Sequence, residues 1–422
     1  MLKTRWPDVP VEELCVRVTS GGTPSRSNPA YYEGGTIPWI KTGELRGWYV
    51  DNIAERITPA AVRESSAKVF PPETVLLAMY GDGKTMGSVG LIRTPAATNQ
   101  ACCAMLVDPK KCDPKFLMYS LVYFKPAILK LAISGAQRNL NGKSIKQFTI
   151  GAPPVKVQRR IASILRAYDD LIENNTRRIA ILEGMARRIY EEWFVRFRFP
   201  GHEGVRMVES ELGLAPEGWK IEAVEDVTET LGGGTPSKTE SEYWDGGDIN
   251  WYSPTDLTGA KTVFMEESAS KITALGLAKS SAKLFPANSV LMTSRATLGV
   301  IAVNTTPACT NQGFIVCVPS DRMPLWLLFH WLKANESEFE GLATGATFKE
   351  ITKGVFRKIK LAVPAITTAA AFEGVVGPMM DLVLRLERKN RNLRTTRDLL
   401  LPKLISGELD VSALPEPEAV AA

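Results

Sequence analysis

Histidine is nearly missing from this chain. There are two in 422 residues, His202 and His330, so imidazole catalysis and histidine-based metal sites are poor readings of it. His330 falls inside a Leu/Trp-rich segment and reads as structural. The six cysteines form no Cys-x-x-Cys pair and no paired zinc spacing, the pattern of reduced thiols in a cytoplasm. Long apolar runs are absent as well: the longest, Pro324 to Leu332, is far too short to span a bilayer. The charged, proline-bearing start from Met1 to Cys15 is no secretory signal. No glycine-rich cofactor-binding strand-turn is apparent. The length suggests two or three domains.

What the chain does have is a repeat. From Ile161, seam residues recur in alternating steps of four and three: Leu165, Tyr168, Ile172, Asn175, Ile179, Leu182, Ala186, Ile189 and Trp193. A mean period of 3.5 is a coiled-coil seam, narrower than the stripe of a globular helix. Pro153-Pro154 marks the start and Pro200-Gly201 the stop. At about 1.5 Å per residue, roughly 40 residues make a rod of about 60 Å. Displaced by 211 positions, the seam reads Phe372, Val376, Met379, Val383, Leu386, Asn390, Leu393, Arg397, Leu400 and Leu404. If the two helices pair antiparallel about a pseudo-two-fold axis, Asn175 opposite Asn390 fixes the register. Leu165 then meets Leu400, Tyr168 meets Arg397, Leu182 meets Val383 and Trp193 meets Phe372.

The segments ahead of the helices repeat too. Gly21-Gly22-Thr23-Pro24-Ser25 returns as Gly233-Gly234-Thr235-Pro236-Ser237, and the aromatic-glycine stretch ending at Trp39 returns ending at Trp251. Ser65-Ser66-Ala67-Lys68 returns as Ser280-Ser281-Ala282-Lys283, and Asn311-Gln312 follows suit. Many short strands with few helices make each block a mixed α/β domain. The framework repeats while the intervening loops differ, as expected of two related but distinct recognition surfaces.

With these residues laid out, the chain resembles the DNA-specificity subunit of type I restriction-modification systems. The helix opening Gln158-Arg159-Arg160-Ile161-Ala162 and the tail Leu401-Pro402-Lys403-Leu404-Ile405-Ser406-Gly407 carry the resemblance along with the paired blocks. It covers essentially the whole chain, departing where Thr367-Thr368-Ala369-Ala370 opens the second helix. The resemblance implies an α+β fold: two tandem target-recognition domains separated by two long antiparallel coiled-coil helices, related by a pseudo-two-fold internal repeat. The expected boundaries are 1–153 for the first domain, 154–200 for the central helix, 201–364 for the second domain, 365–408 for the distal helix and 409–422 for a disordered tail. It further implies sequence-specific binding to a bipartite, asymmetric double-stranded DNA site, without catalysis or a cofactor on this chain. Methylation subunits, two per chain, would carry S-adenosylmethionine, and restriction subunits would use ATP. A non-catalytic tandem scaffold for protein partners is the alternative.

Base contacts require Arg, Lys, Asn, Gln, Ser or Thr on protruding loops. The candidates are Lys41, Thr42, Lys84, Thr85, Arg138 and Asn139 in the first block, and Ser253, Thr255, Arg295, Thr297, Thr347 and Lys349 in the second. Charge is uneven. Residues 1–153 hold 19 Lys/Arg against 12 Asp/Glu, and residues 201–364 hold 15 against 20, so the second block needs its few cations clustered to bind DNA. Two motifs mislead. Asn28-Pro29-Ala30-Tyr31 approximates a base-holding methyltransferase motif but lacks its second proline. Gly81-Asp82-Gly83-Lys84-Thr85 approximates a phosphate loop, yet loop and strand follow where a helix is required.

Overall fold

The computed structural model describes residues 4–81, 85–132, 139–260, 262–295, 297–345 and 349–415. Its long elements are the central helix, Val155–Tyr190, and the distal helix, Ile366–Ser406. The chain forms two compact units, residues 1–176 with 388–422 and residues 177–387.

Each long helix contributes to both units: the units divide the central helix after residue 176 and the distal helix before residue 388. The cause is burial. Val157, Ile161, Ala162 and Leu165 of the central helix join Leu404 and Ile405 of the distal helix in the core of the first unit. Ala186, Tyr190, Phe372, Val376 and Val383 do the same in the second. At about 25 cal/mol per Å² of apolar surface, helix faces covered by a domain become part of it. The expected disordered tail is corrected, as far as residue 415. Val411 is 3% exposed within the first core, Arg5 pairs with Asp410 at 2.9 Å, and Arg160 donates to the Ser412 carbonyl.

In the first unit, six strands carry the framework: β1 (Cys15–Ser20), β2 (Ile37–Ile40), β3 (Val75–Ala78), β4 (Val89–Leu91), β5 (Ala96–Thr98) and β6 (Cys102–Val107). An antiparallel sheet runs β1-β6-β3-β4, and β2 lies parallel to β5 in a second four-stranded sheet with Trp39 opposite Ala97. Helix α1 (Pro114–Tyr123) starts on Asp113, whose carboxylate accepts from the Lys115 and Phe116 amides at 2.9 and 3.0 Å. That satisfies two donors a helix start leaves open. Helix α2 (Gly142–Gln147) is capped by Asn141 in the same way.

The second unit repeats the plan. Strands β7 (Glu229–Gly232), β8 (Ile249–Tyr252), β9 (Val290–Thr293), β10 (Ile301–Asn304), β11 (Ala308–Thr310) and β12 (Phe314–Val318) form a β7-β12-β9-β10 sheet and a parallel β8-β11 pair. Helices α3 (Leu325–Ala334) and α4 (Lys353–Arg357) complete it. All six cysteines are free. Burial pushes Cys15, Cys103 and Cys317 up to about 12, so these thiols stay protonated and inert.

The seam can be followed within each unit. In the first, the Asn175 amide donates to Asn390 Oδ1 at 2.9 Å, and Asn390 Nδ2 donates to Thr176 Oγ1 at 3.3 Å. Both asparagines are 3% exposed. In the second, Trp193 and Phe372 pack edge to face with centroids 5.9 Å apart. Partner numbers fall on one helix as they rise on the other, so the pairing is antiparallel. Arg397 differs from the expected register. Its guanidinium engages Asp169 rather than Tyr168, and Asp169 also accepts from the Tyr119 hydroxyl at 2.5 Å. The helix end differs as well: after Tyr190 the backbone widens into a π turn, Glu191–Val195, and Phe197 turns left-handed at φ 57°. Replacing Asn390 with Leu should cost about 1–3 kcal/mol in urea unfolding, because Asn175 is left buried without its partner. The Asn175→Leu/Asn390→Leu pair should recover most of that loss. A single variant as stable as the parent would refute a register role.

The two helix starts are anchored differently. Gln158 accepts from the Asp113 amide at 3.0 Å and donates to the Lys111 and Pro153 carbonyls. The equivalent position in the distal helix is Ala369. There, Glu373 reaches across instead and accepts from the Trp326 and Leu327 amides at 2.6 and 3.0 Å, capping α3, whose own cap position is Pro324.

Candidate nucleic-acid interface

The repeated motifs pack on one another, which explains why they recur together. A Cβ on Gly22 would stand 2.4 Å from the Ser66 backbone, and one on Gly234 would stand 2.3 Å from Ser281. Only glycine permits that approach. Trp39 Nε1 donates to the Gly22 carbonyl at 3.1 Å, and Trp251 Nε1 to Gly234 at 2.9 Å. The tryptophans are 2% and 7% exposed: they are pins for the turn rather than stacking platforms. Arg26 lies over the Tyr32 and Trp39 rings.

The pinned turns support a loop cluster on each unit. In the first, the Asn99 amide donates to the Ile40 carbonyl at the end of β2, and the Met79 amide after β3 donates to Ala101. Leu140, closing the loop that holds Asn139, donates to the Met79 carbonyl at 3.0 Å. The segments after β2, after β3 and before α2 are thereby tied side by side. The second unit makes the same three ties: Asn311 to Tyr252, Ser294 to Gly313 and Ile351 to Ser294, at 3.0, 2.8 and 3.1 Å. The candidates among the described residues thus gather in two equivalent places.

Their states differ. Lys41 pairs with Glu55 at 2.5 Å, and Arg26 pairs with the same carboxylate. These contacts hold Glu55 below the usual range, the Lys41 hydrogen bond being the largest cause. Thr42 opens a short 3-10 turn through Glu44, and Thr85 lies in the turn leading to β4. Ser253 is drawn inward, its hydroxyl and amide both donating to Asp256 at 2.5 and 2.8 Å, with Thr255 2.8 Å from its oxygen. Arg295 pairs with Glu350 at 3.0 Å. Thr297 and Lys349 are exposed. Lys84, Arg138 and Thr347 lie outside the described residues. Exposed ion pairs are worth about 0–1 kcal/mol, so Lys41 and Arg295 can exchange their carboxylates for nucleic acid at little cost.

The sequence reading overlooked Gln100 and Gln312. Thr23 donates to Gln100, and Thr235 donates to Gln312 Oε1 at 2.7 Å, placing one amide group beside each loop cluster. The recurring Asn-Gln pair was the available signal. The misleading motifs resolve structurally: Asn28 Oδ1 accepts from the Ala30 amide as a local cap, and the described chain after Thr85 runs into strand β4.

His330 is structural: it is 5% exposed, stacked on Tyr190 at 5.8 Å, and its burial lowers it to about 4. It occupies the position equivalent to Tyr119, as Met380 and Ala186 do for Asp169 and Arg397. Where the first unit has a buried ionic triad, the second has an open cavity of about 660 Å³ lined by His330, Met380 and Glu183.

Residues 4–183 and 216–369 match the type I restriction modification DNA specificity domain family. The MjaIX type I restriction enzyme specificity subunit of Methanocaldococcus jannaschii is 27% identical over 408 residues, 94% of this chain and 92% of that protein. The HindI specificity subunit of Haemophilus influenzae is 24% identical, across 70% of this chain and 77% of its own. The crystal structure of a type I restriction-modification S subunit from M. genitalium superposes with a TM-score of 0.65 at 15% identity, covering 95% of this chain and 96% of the other.

Proposed function

Because the chain belongs to the type I restriction-modification DNA-specificity family, we propose that it binds a bipartite, asymmetric duplex site, each domain reading one half. It is the specificity subunit of its enzyme and not a catalytic one. The observation that carries the reading is the duplicated loop cluster: two units tie the same three segments together by the same backbone bonds and differ in the side chains they present. A fixed frame with changed side chains is what reading two different half-sites requires. The loop candidates named above make the base contacts. Two methylation subunits per chain supply S-adenosylmethionine, restriction subunits supply ATP-driven cleavage, and the assembly works in the cytoplasm.

The reading is tested with the full chain and duplexes carrying the site found by methylation mapping in a host that holds all subunits. Binding should exceed that to scrambled duplex by at least 10³-fold and weaken steeply with salt. The chain alone should neither transfer methyl groups nor hydrolyse ATP. Turnover of either cofactor by the pure chain, or equal affinity for both duplexes, would overturn the reading.

A further inference from the structure

The second unit carries the acidic block, so general attraction cannot bring it to a polyanion. Three of its 15 Lys/Arg, Lys283, Lys353 and Arg357, belong to segments that pack near the end of β7. Lys353 Nζ stands 3.6 Å from where a Cβ on Gly232 would lie, at the end of β7. Arg357, one turn further along α4, is fixed to the same strand, donating to Thr230 Oγ1 and its carbonyl at 2.6 and 2.9 Å. Burial first, and then the charges of Arg357 and Lys283, hold the Lys353 ammonium below its ordinary value. Lys283 belongs to the same neighbourhood by geometry, since it follows Ser281 and Ala282, which pack against Gly234 two residues beyond Gly232.

The first unit also carries cations at the corresponding strand end. Lys68, which follows Ser65-Ser66-Ala67 as Lys283 follows Ser280-Ser281-Ala282, has its Nζ 3.3 Å from Thr19 Oγ1 and 3.4 Å from the Ser20 carbonyl at the end of β1. A cleft of about 600 Å³ at that strand end is lined by Ser20, Tyr80, Gln100, Lys143 and Lys146. Lys146 stands where Arg357 stands in the second copy. Among the described residues, none of Lys68, Lys143, Lys146, Lys283 and Lys353 has a carboxylate at ion-pair distance, whereas Lys41 and Arg295 both do. Like charges held together without a counterion repel and cost stability. Two domains of opposite net charge nevertheless keep them at the same place. That place adjoins the loop cluster, because α2 and α4 begin directly after the segments ending at Leu140 and Ile351.

We propose that Lys283 and Lys353, and in the first unit Lys68 and Lys146 (the counterparts of Lys283 and Arg357), are backbone-phosphate contacts for duplex DNA, holding each domain in register while the adjoining loops read bases. The inference rests on the DNA-binding reading above and assigns its sequence-independent part to named side chains. The hydroxyls and amides alongside, Thr19, Gln100 and Thr230, suit phosphate oxygens.

The test compares the full chain with its Lys283→Gln/Lys353→Gln variant on target and scrambled duplexes over a range of KCl. Affinity for both duplexes should fall by the same factor. The slope of log affinity against log salt should become shallower by about 1.8, two contacts at roughly 0.9 each. Lys271→Gln/Lys360→Gln removes the same charge from ion-paired positions and should leave the slope unchanged; unaltered near-ultraviolet circular dichroism shows each variant folded. An unchanged slope in the first variant overturns the proposal. So does a change in preferred bases, which would make these lysines base readers, or loss of partner subunits with binding intact, which would assign them to a protein interface. If the parent chain binds neither duplex, the functional reading fails first.

Discussion

Replacing Arg397 with Met should destabilise the first unit by about 3–5 kcal/mol, among the largest losses available to a single substitution in this chain. Asp169 is 5% exposed and pushed up chiefly by burial, with Tyr119 and Arg397 pulling it back. Without the guanidinium, its carboxylate remains buried with a phenol as partner. The loss should depend on pH with a definite sign. A carboxyl raised in the folded state favours folding when protonated, so the deficit should be full at neutral pH and shrink as pH falls through the raised folded value. The second unit indicates a rescue, since His330, Met380 and Ala186 occupy the equivalent positions without an ion pair. Combining Tyr119→Phe and Asp169→Met with Arg397→Met should therefore restore most of the lost stability, as apolar replacement of buried ion pairs often does. Denaturant unfolding of the three forms decides it; a triple variant no more stable than the single one would show that the triad is not acting as a unit.

Exchanging residues 41–146 for the matching segment of another specificity chain should rewrite one half of the recognised site and leave the other half unaltered. For a half-site of about three base pairs this is roughly 3–9 kcal/mol of discrimination redirected. The loops that contain Lys41 and Thr42, Met79 to Thr85, and Asn139 all fall inside the exchanged segment, and none of the second cluster does. The graft must keep Asp113 and Tyr119, which bond Gln158 and Asp169 on the central helix. Methylation mapping reads the result. Alteration of both halves would mean that the two clusters do not read independently.

Much of this organisation was legible because it is local or repetitive. A four-three spacing needs only the helix period to be seen, and one polar residue per seam sufficed to pair Asn175 with Asn390. The tandem blocks announced two copies of one scaffold, and Trp39 and Trp251 were readable as core. What escaped depends on distance in the chain. Residue spacing cannot say that Arg397 turns toward Asp169 to complete a contact begun by Tyr119. It cannot show that the segments carrying Lys283 and Lys353, 70 positions apart, both pack at the end of β7, or that Lys41 and Arg295 already hold carboxylates. The helices that the resemblance places between the domains also contribute to both cores, because apolar seam positions are covered by whichever domain lies over them. The missing glutamine at the distal helix start was compensated by Glu373, four positions beyond the place where the motif would have put it.

The contacts of Arg5 lead further. Its amide donates to the Ser406 carbonyl at 2.9 Å, and its side chain pairs with Asp410 beside the buried Val411. Residues near both described ends of the polypeptide therefore meet on the first unit. Joining them with a linker and reopening the chain at the exposed turn around Gly201 would write the second domain ahead of the first while leaving these contacts in place. The order of the two domains along the gene is thus not imposed by the packing of the first unit.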